Sequence, residues 1–156
     1  MTLIVLDIDG VLAHSETFPL RDGLDGIWRY RKQLDPRCLE RLQVLVQRTG
    51  AKVLLSSTWR RYQDSRDAVE VELERLGIEM VGVTTHIDLR DPETKLFLPS
   101  RGVEIQAWLD EHPEVERYVC LDDDWFDDHP LVHISGGTHS GGLQDWHVQE
   151  ALSILS

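Results

Sequence analysis

The sequence predicts an α/β fold, a three-layer, open, mainly parallel sheet. Short apolar runs at Leu3–Leu6, Lys52–Leu55 and Tyr118–Leu121 each end in polar residues, the mark of strands buried on both faces. Longer stretches with apolar residues at helical spacing lie between them, and strands alternating with helices build parallel sheets. The carboxyl ends of such strands converge on one edge, where ligands bind.

The first strand gives out into Asp7-Ile8-Asp9-Gly10-Val11-Leu12, where Gly10 permits a sharp turn. Residues 13–34 form a long connection carrying Phe18, Trp28 and Tyr30. The first helix is clearly bounded: Asp35 caps it, Pro36 suits its first turn and Gly50 ends it. Cys38, Leu39, Leu42, Leu45 and Val46 give that helix one apolar face. After the strand at Lys52–Leu55 comes a charged helix, roughly 61–76, closed by Gly77. A strand over 78–84 leads into a second long connection, 85–100, with Pro92 and Pro99. Connections of this length are frequently functional. A helix over 101–111 puts Val103, Ile105, Trp108 and Leu109 on or near one face. The strand at Tyr118–Leu121, a further short strand and a closing helix over 144–155 complete the order. No repeat or interdomain linker interrupts the chain, so 1–156 reads as one domain.

Hydrophobic content of 41% and charged content of 28% are globular values. No apolar run approaches membrane-spanning length, and the chain opens on a strand-like run rather than a basic leader. The expectation is a cytoplasmic protein without a membrane partner. Cys38 and Cys120 are too few for a disulfide framework and sit in apolar patterns, so both are expected as buried free thiols. The net charge of −12 is uneven, with 11 Lys+Arg against 8 Asp+Glu up to Arg66 and 5 against 20 thereafter. A basic flank of this kind steers anionic substrates, although ordinary solvated helix surface explains it equally well.

Asp7 and Asp9, two apart at a strand end, repel each other unless a cation joins them, and Mg²⁺ is the usual one. The second strand ends in Ser56-Ser57-Thr58-Trp59-Arg60. The third ends in Asp122-Asp123-Asp124, with Asp127 and Asp128 close behind, and Arg101 opens the helix before it. One sheet edge thus gathers a nucleophile, an acid/base, a hydroxyl, a cation and a metal site.

These segments, in this order, resemble the four signatures of the haloacid dehalogenase (HAD) superfamily of phosphotransferases. Asp7-Ile8-Asp9-Gly10-Val11-Leu12 looks like the first motif, Ser56 the second, and Leu121-Asp122-Asp123 with Asp127 the acidic fourth. Arg101 stands where the third motif usually has lysine. More narrowly, Ser-Ser-Thr-Trp-Arg, the later Gly-Val-Glu-Ile-Gln-Ala-Trp-Leu and Gly142-Leu143 are similar to small HAD domains associated with RNA-repair proteins.

The resemblance implies a Rossmann-like, HAD-type sheet with only short insertions, 13–34 as a flap or small cap and 85–100 as a second loop. It also implies a Mg²⁺-dependent phosphomonoester hydrolase working through an aspartyl-phosphate. Asp7 would be the nucleophile and Asp9 the general acid and base, as in the phosphatase branch. Asp7, Asp9 (through its backbone carbonyl) and Asp123 would hold Mg²⁺, with Asp122 and Asp127 as supporting carboxylates. Ser56 and Arg101 would grip the phosphoryl oxygens. Nucleic-acid terminal phosphates, such as an RNA 3′-phosphate, are the expected substrates, and other RNA-repair enzymes the expected partners. A small-molecule phosphatase such as a 5′-nucleotidase is the alternative, and a non-catalytic HAD-like binding module a third reading.

Several assignments stay open at this level. Ser57 replaces Ser56 if the strand ends one residue later, and Lys95 rivals Arg101. Trp59 stacks on a base or packs in the core. Arg60 binds a substrate phosphate or pairs with an acidic loop. Asp124 and Asp128 read as solvated charge. His129, His133, His139 and His147 match no metal-binding spacing and read as loop and surface residues. Ser135 to Gly142 is Gly-rich but lacks the Gly-Lys signature of a nucleotide-binding loop.

Overall fold

The computed structural model describes residues 1–135 and 141–156, so His139 and the middle of the Gly-rich loop lie outside the described residues. Five strands, β1 (Thr2–Leu6), β2 (Lys52–Leu55), β3 (Met80–Val83), β4 (Arg117–Asp122) and β5 (Leu131–His133), form one sheet. Its order is β3-β2-β1-β4-β5 and every pairing is parallel. The helices are α1 (Gly26–Arg31), α2 (Pro36–Thr49), α3 (Gln63–Arg75), α4 (Arg101–Asp110) and α5 (Asp145–Leu155).

Alternation along the strands sorts the core into two layers. Ile4 and Leu6 of β1 face Leu42 and Leu45 of α2, Leu73 of α3 and Ala151 of α5 in one buried cluster. Leu3 and Val5 turn the other way, onto Ile105 of α4 with Trp108 and Leu109 beside it. The sheet is therefore covered on both faces, which is why its strands read as nearly continuous apolar runs. Cys38 and Cys120 are buried free thiols, as expected. Among the described residues no helix is long and apolar enough to cross a membrane.

The best-marked helix forms as its sequence dictates. The Asp35 side chain accepts from the Arg37 backbone N–H at 2.9 Å, Pro36 occupies the first turn, and Gly50 turns left-handed at φ 70°. A cap of this kind contributes about 1 kcal/mol.

Other elements depart from the sequence reading. The charged helix begins at Gln63, because Ser57 caps a separate 3₁₀ turn at Thr58–Arg61. The short helix α1 occupies part of the stretch read as loop. Six residues cannot sustain a helix alone, and tertiary contacts hold it: Arg31 pairs with Glu72 of α3 at 2.6 Å, and Tyr30 meets Trp59 edge-on at 5.3 Å. Val103 is 46% exposed rather than on the buried face, since two residues turn a helix through about 200° away from Ile105.

The histidine reading is corrected too. His129 is buried, bonded through its ring nitrogens to the Tyr118 hydroxyl and the Gly102 carbonyl, both at 2.8 Å. His147 is also buried, and its Nδ1 accepts the Gln144 N–H at 2.9 Å to cap α5. His133 stacks on Trp125 with ring centres 3.6 Å apart. Sequence spacing cannot distinguish such internal polar partners from surface residues.

Candidate active site at the carboxyl edge of the sheet

The strand order reverses direction at β1, whose neighbours are β2 and β4, and such a switch point opens a crevice. Register puts Leu6 beside both Leu55 and Leu121. The residues just beyond these three are therefore level with one another. Backbone bonds extend the ladder one step further, from Asp7 N–H to the Leu121 carbonyl at 3.0 Å and from Ser56 N–H to the Leu6 carbonyl at 2.8 Å.

The carboxylates of Asp7, Asp122 and Asp123 converge, with one oxygen from each within 4.8 Å of the others. Gly10 makes this approach possible. Its φ is +86°, and a Cβ there would run into the Asp123 carboxylate. Burial, reinforced by the neighbouring Asp122 charge, pushes Asp7 up to about 7 against the pull of Arg101. Burial and the adjacent Asp7 push Asp123 up to about 7 as well. Asp122 is raised by burial, with Arg101 opposing.

Arg101, the first residue of α4, reaches into this cluster. Its guanidinium lies 2.9 Å from Asp122 and 3.4 Å from Asp7, and it also donates to the Ser56 carbonyl. Burial works against its charge, but Asp7 and Asp122 hold it protonated. One guanidinium against three carboxylates leaves the pocket short of positive charge. An all-oxygen donor set in which Asp7 and Asp123 hold protons near neutrality fits a hard divalent cation, whose arrival would release them. Because Arg101 and the Asp124 N–H (3.0 Å) already engage Asp122, Asp7 and Asp123 are the carboxylates with capacity to spare.

The two serines differ in what they do. Ser57 Oγ accepts the Trp59 N–H at 3.2 Å and so belongs to the turn. Ser56 Oγ is buried and has no hydrogen-bond partner among the described residues, and a buried hydroxyl without a partner is costly enough to need an explanation. Lys95, by contrast, is exposed in the 85–100 connection, with its backbone N–H bonded to the Asp91 carbonyl at 3.0 Å. That connection folds back on itself through an antiparallel bridge between Arg90 and Phe97.

Asp9 is partly buried, and its Oδ1 accepts the indole N–H of Trp59 at 2.8 Å. Burial raises its pKa, while Trp59, Arg101 and Arg21 draw it down. Trp59 is itself buried and packed into the core. It thus packs and also holds Asp9. Arg60 pairs at 3.0 Å with Glu104, a buried acid of α4 rather than of a loop, and donates to the Ser57 carbonyl at 2.9 Å. Asp127 lies exposed outside the carboxylate cluster, as do Asp124 and Asp128.

A cleft of about 580 Å³ opens from Asp9. The segment carrying Phe18, Arg21 and Tyr30 walls one side, and Trp59, Arg61 and Tyr62 wall the other. The sequence reading missed Arg21, Arg61 and Glu104. The two arginines belong to the basic flank but carry no motif, and a lone Glu in an amphipathic helix gives no sign of burial.

The family model described as the HAD domain in Swiss Army Knife RNA repair proteins matches residues 3–148. A chain in the solved structure of the Pnkp1/Rnl/Hen1 complex is similar over 88% of this chain, with 19% identity and a TM-score of 0.49. The match covers 46% of that longer chain. No curated protein matches the sequence significantly.

Proposed function

The chain belongs to the family of HAD domains found in Swiss Army Knife RNA repair proteins, and from that premise and the site geometry we propose that it is a phosphomonoester hydrolase acting on nucleic-acid terminal phosphates. The observation that carries the proposal is the Asp7–Asp122–Asp123 cluster beside Arg101 and the unpartnered Ser56 hydroxyl.

In this reading Asp7 attacks phosphorus. A P–O bond forms to its carboxylate as the bond to the leaving oxygen breaks, giving an aspartyl-phosphate. Asp9 protonates the leaving oxygen. It then takes a proton from the water that attacks the same phosphorus, releasing phosphate and restoring the Asp7 carboxylate. Trp59 fixes the direction in which the Asp9 carboxyl points. Arg101 and the Ser56 hydroxyl hold phosphoryl oxygens, Arg101 by charge and Ser56 by donating the hydrogen bond it lacks. Arg60, held by Glu104, braces the turn that carries Ser57 and Trp59.

Asp7 and Asp123, with the Asp9 backbone carbonyl, would hold Mg²⁺, and Asp122 would support them; Asp127, exposed outside the cluster, would not. The cation would offset the repulsion between carboxylate and phosphate. Residues 1–156 would act as one catalytic unit, with 13–34 as its short flap, alongside other RNA-repair enzymes.

Phosphate release from a 3′-phosphorylated RNA oligomer and from a 5′-mononucleotide tests the substrate assignment. Preference for the oligomer is expected. Preference for the mononucleotide would leave the chemistry intact and overturn the assignment.

A further inference from the structure

We infer that the cleft leading from Asp9 is a groove for single-stranded nucleic acid, in which Arg21, Arg29 and Arg61 contact backbone phosphates and Tyr62 stacks on a base. The inference takes from the phosphatase reading only which side of the site receives the leaving group. Asp9, the group assigned to protonate the leaving oxygen, is among the residues that line this cleft, so the rest of the substrate lies along it. The cleft, about 580 Å³ in volume, is large enough to take a ligand.

Charge is the second argument. The chain carries a net charge of −12, and most of its surface repels a polyanion. Most of its arginines are neutralised by carboxylates, for example Arg31 by Glu72, Arg41 by Asp145 and Arg66 by Glu70. Arg21, Arg29 and Arg61 have no carboxylate within ion-pair distance among the described residues, all three are exposed, and all three line this one cleft. Asp9 is the one acid among the lining residues. Guanidiniums kept free of acids on a strongly acidic protein are placed to meet anions from outside.

The aromatic residues give the third argument. Tyr62 is 66% exposed, on extended backbone at the start of α3. Phe18 and Tyr30 line the same cleft, partly buried against the core. Unpaired bases stack on exposed rings of this kind, whereas paired bases are stacked already. The combination of free guanidiniums and an exposed ring favours a single strand over a duplex or an isolated phosphate.

The test is binding of a fluorescent single-stranded oligouridylate ending in a 3′-hydroxyl, which offers no phosphate to hydrolyse. Wild-type protein binds it more tightly than a duplex of equal length. Arg61→Glu weakens binding by about tenfold and makes the dependence on log salt shallower by about 0.7. Tyr62→Ala weakens it roughly five- to tenfold. Arg48→Glu, the same charge change on a free arginine outside this cleft, changes affinity less than twofold. The inference is overturned if wild type does not bind, if Arg48→Glu weakens binding as much as Arg61→Glu, or if Tyr62→Ala binds like wild type. Because the probe carries no scissile phosphate, these outcomes are independent of whether the phosphatase reading holds.

Discussion

The indole N–H of Trp59 donates to Asp9 Oδ1 at 2.8 Å, joining the turn after β2 to the loop after β1 across 50 residues of chain. Packing sets the position of Trp59, so the core of the protein decides where the carboxyl of Asp9, proposed as acid and base, points. Trp59→Phe keeps most of the packing and removes the bond. Because that bond draws the Asp9 pKa down, its loss shifts the Asp9 limb of the pH–rate profile to higher pH and lowers kcat about tenfold. An unchanged profile would show that the bond only secures the turn.

Ser56 separates stability from activity. Its buried hydroxyl has no partner, so Ser56→Ala removes an unsatisfied polar group rather than a bond. The variant is expected to match or slightly exceed wild type in denaturant midpoint while losing roughly ten- to a hundredfold in kcat/KM. A destabilised variant with full activity would assign the hydroxyl to structure.

The carboxylate cluster links stability to pH and, as the proposed Mg²⁺ site, to metal. Folding raises Asp7 and Asp123 to about 7, so the folded chain keeps protons that the unfolded chain gives up. Metal-free protein therefore loses stability as pH climbs from about 4 to about 7. Mg²⁺ displaces those protons, so its gain in Tm is larger at pH 8 than at pH 5.5. Asp123→Asn shrinks both effects. A gain from Mg²⁺ that is independent of pH would argue against these two carboxylates as its ligands.

Asp35 carries the opposite sign. Burial opposes its charge, but bonds from His14 and from the backbone and guanidinium of Arg37 hold its carboxyl below the usual range. A carboxylate depressed on folding lends stability above its unfolded value and loses it as pH falls through the folded one. Asp35→Asn should cost about 1–2 kcal/mol at pH 7, with the gap to wild type closing below about pH 4 in denaturant titrations. A gap that does not begin to shrink as pH falls below about 4 would contradict the ionic account.

The parallel sheet was legible because β1, β2 and β4 are buried on both faces and so are apolar throughout. The limits of α2 were legible because Asp35, Pro36 and Gly50 each have one local role. The convergence of Asp7, Ser56 and Asp122 at one edge followed from the alternation of strands with helices, which makes the strands parallel. What lay beyond reach depended on tertiary contacts. Arg60 meets Glu104 only because α4 packs on the face of the sheet that carries Leu54 of β2, and α1 is held by Glu72 and Trp59. That Ser57 is engaged in the turn rests on a single cap bond that spacing does not reveal.

The most direct test of the central claim is an acid quench of the reaction with an oligonucleotide labelled in its terminal phosphate, followed by peptide mapping. The account predicts Mg²⁺-dependent label on the Asp7 peptide, released by hydroxylamine and absent from Asp7→Asn. Phosphate release that proceeds undiminished in Asp7→Asn, with no label on the protein, would contradict it.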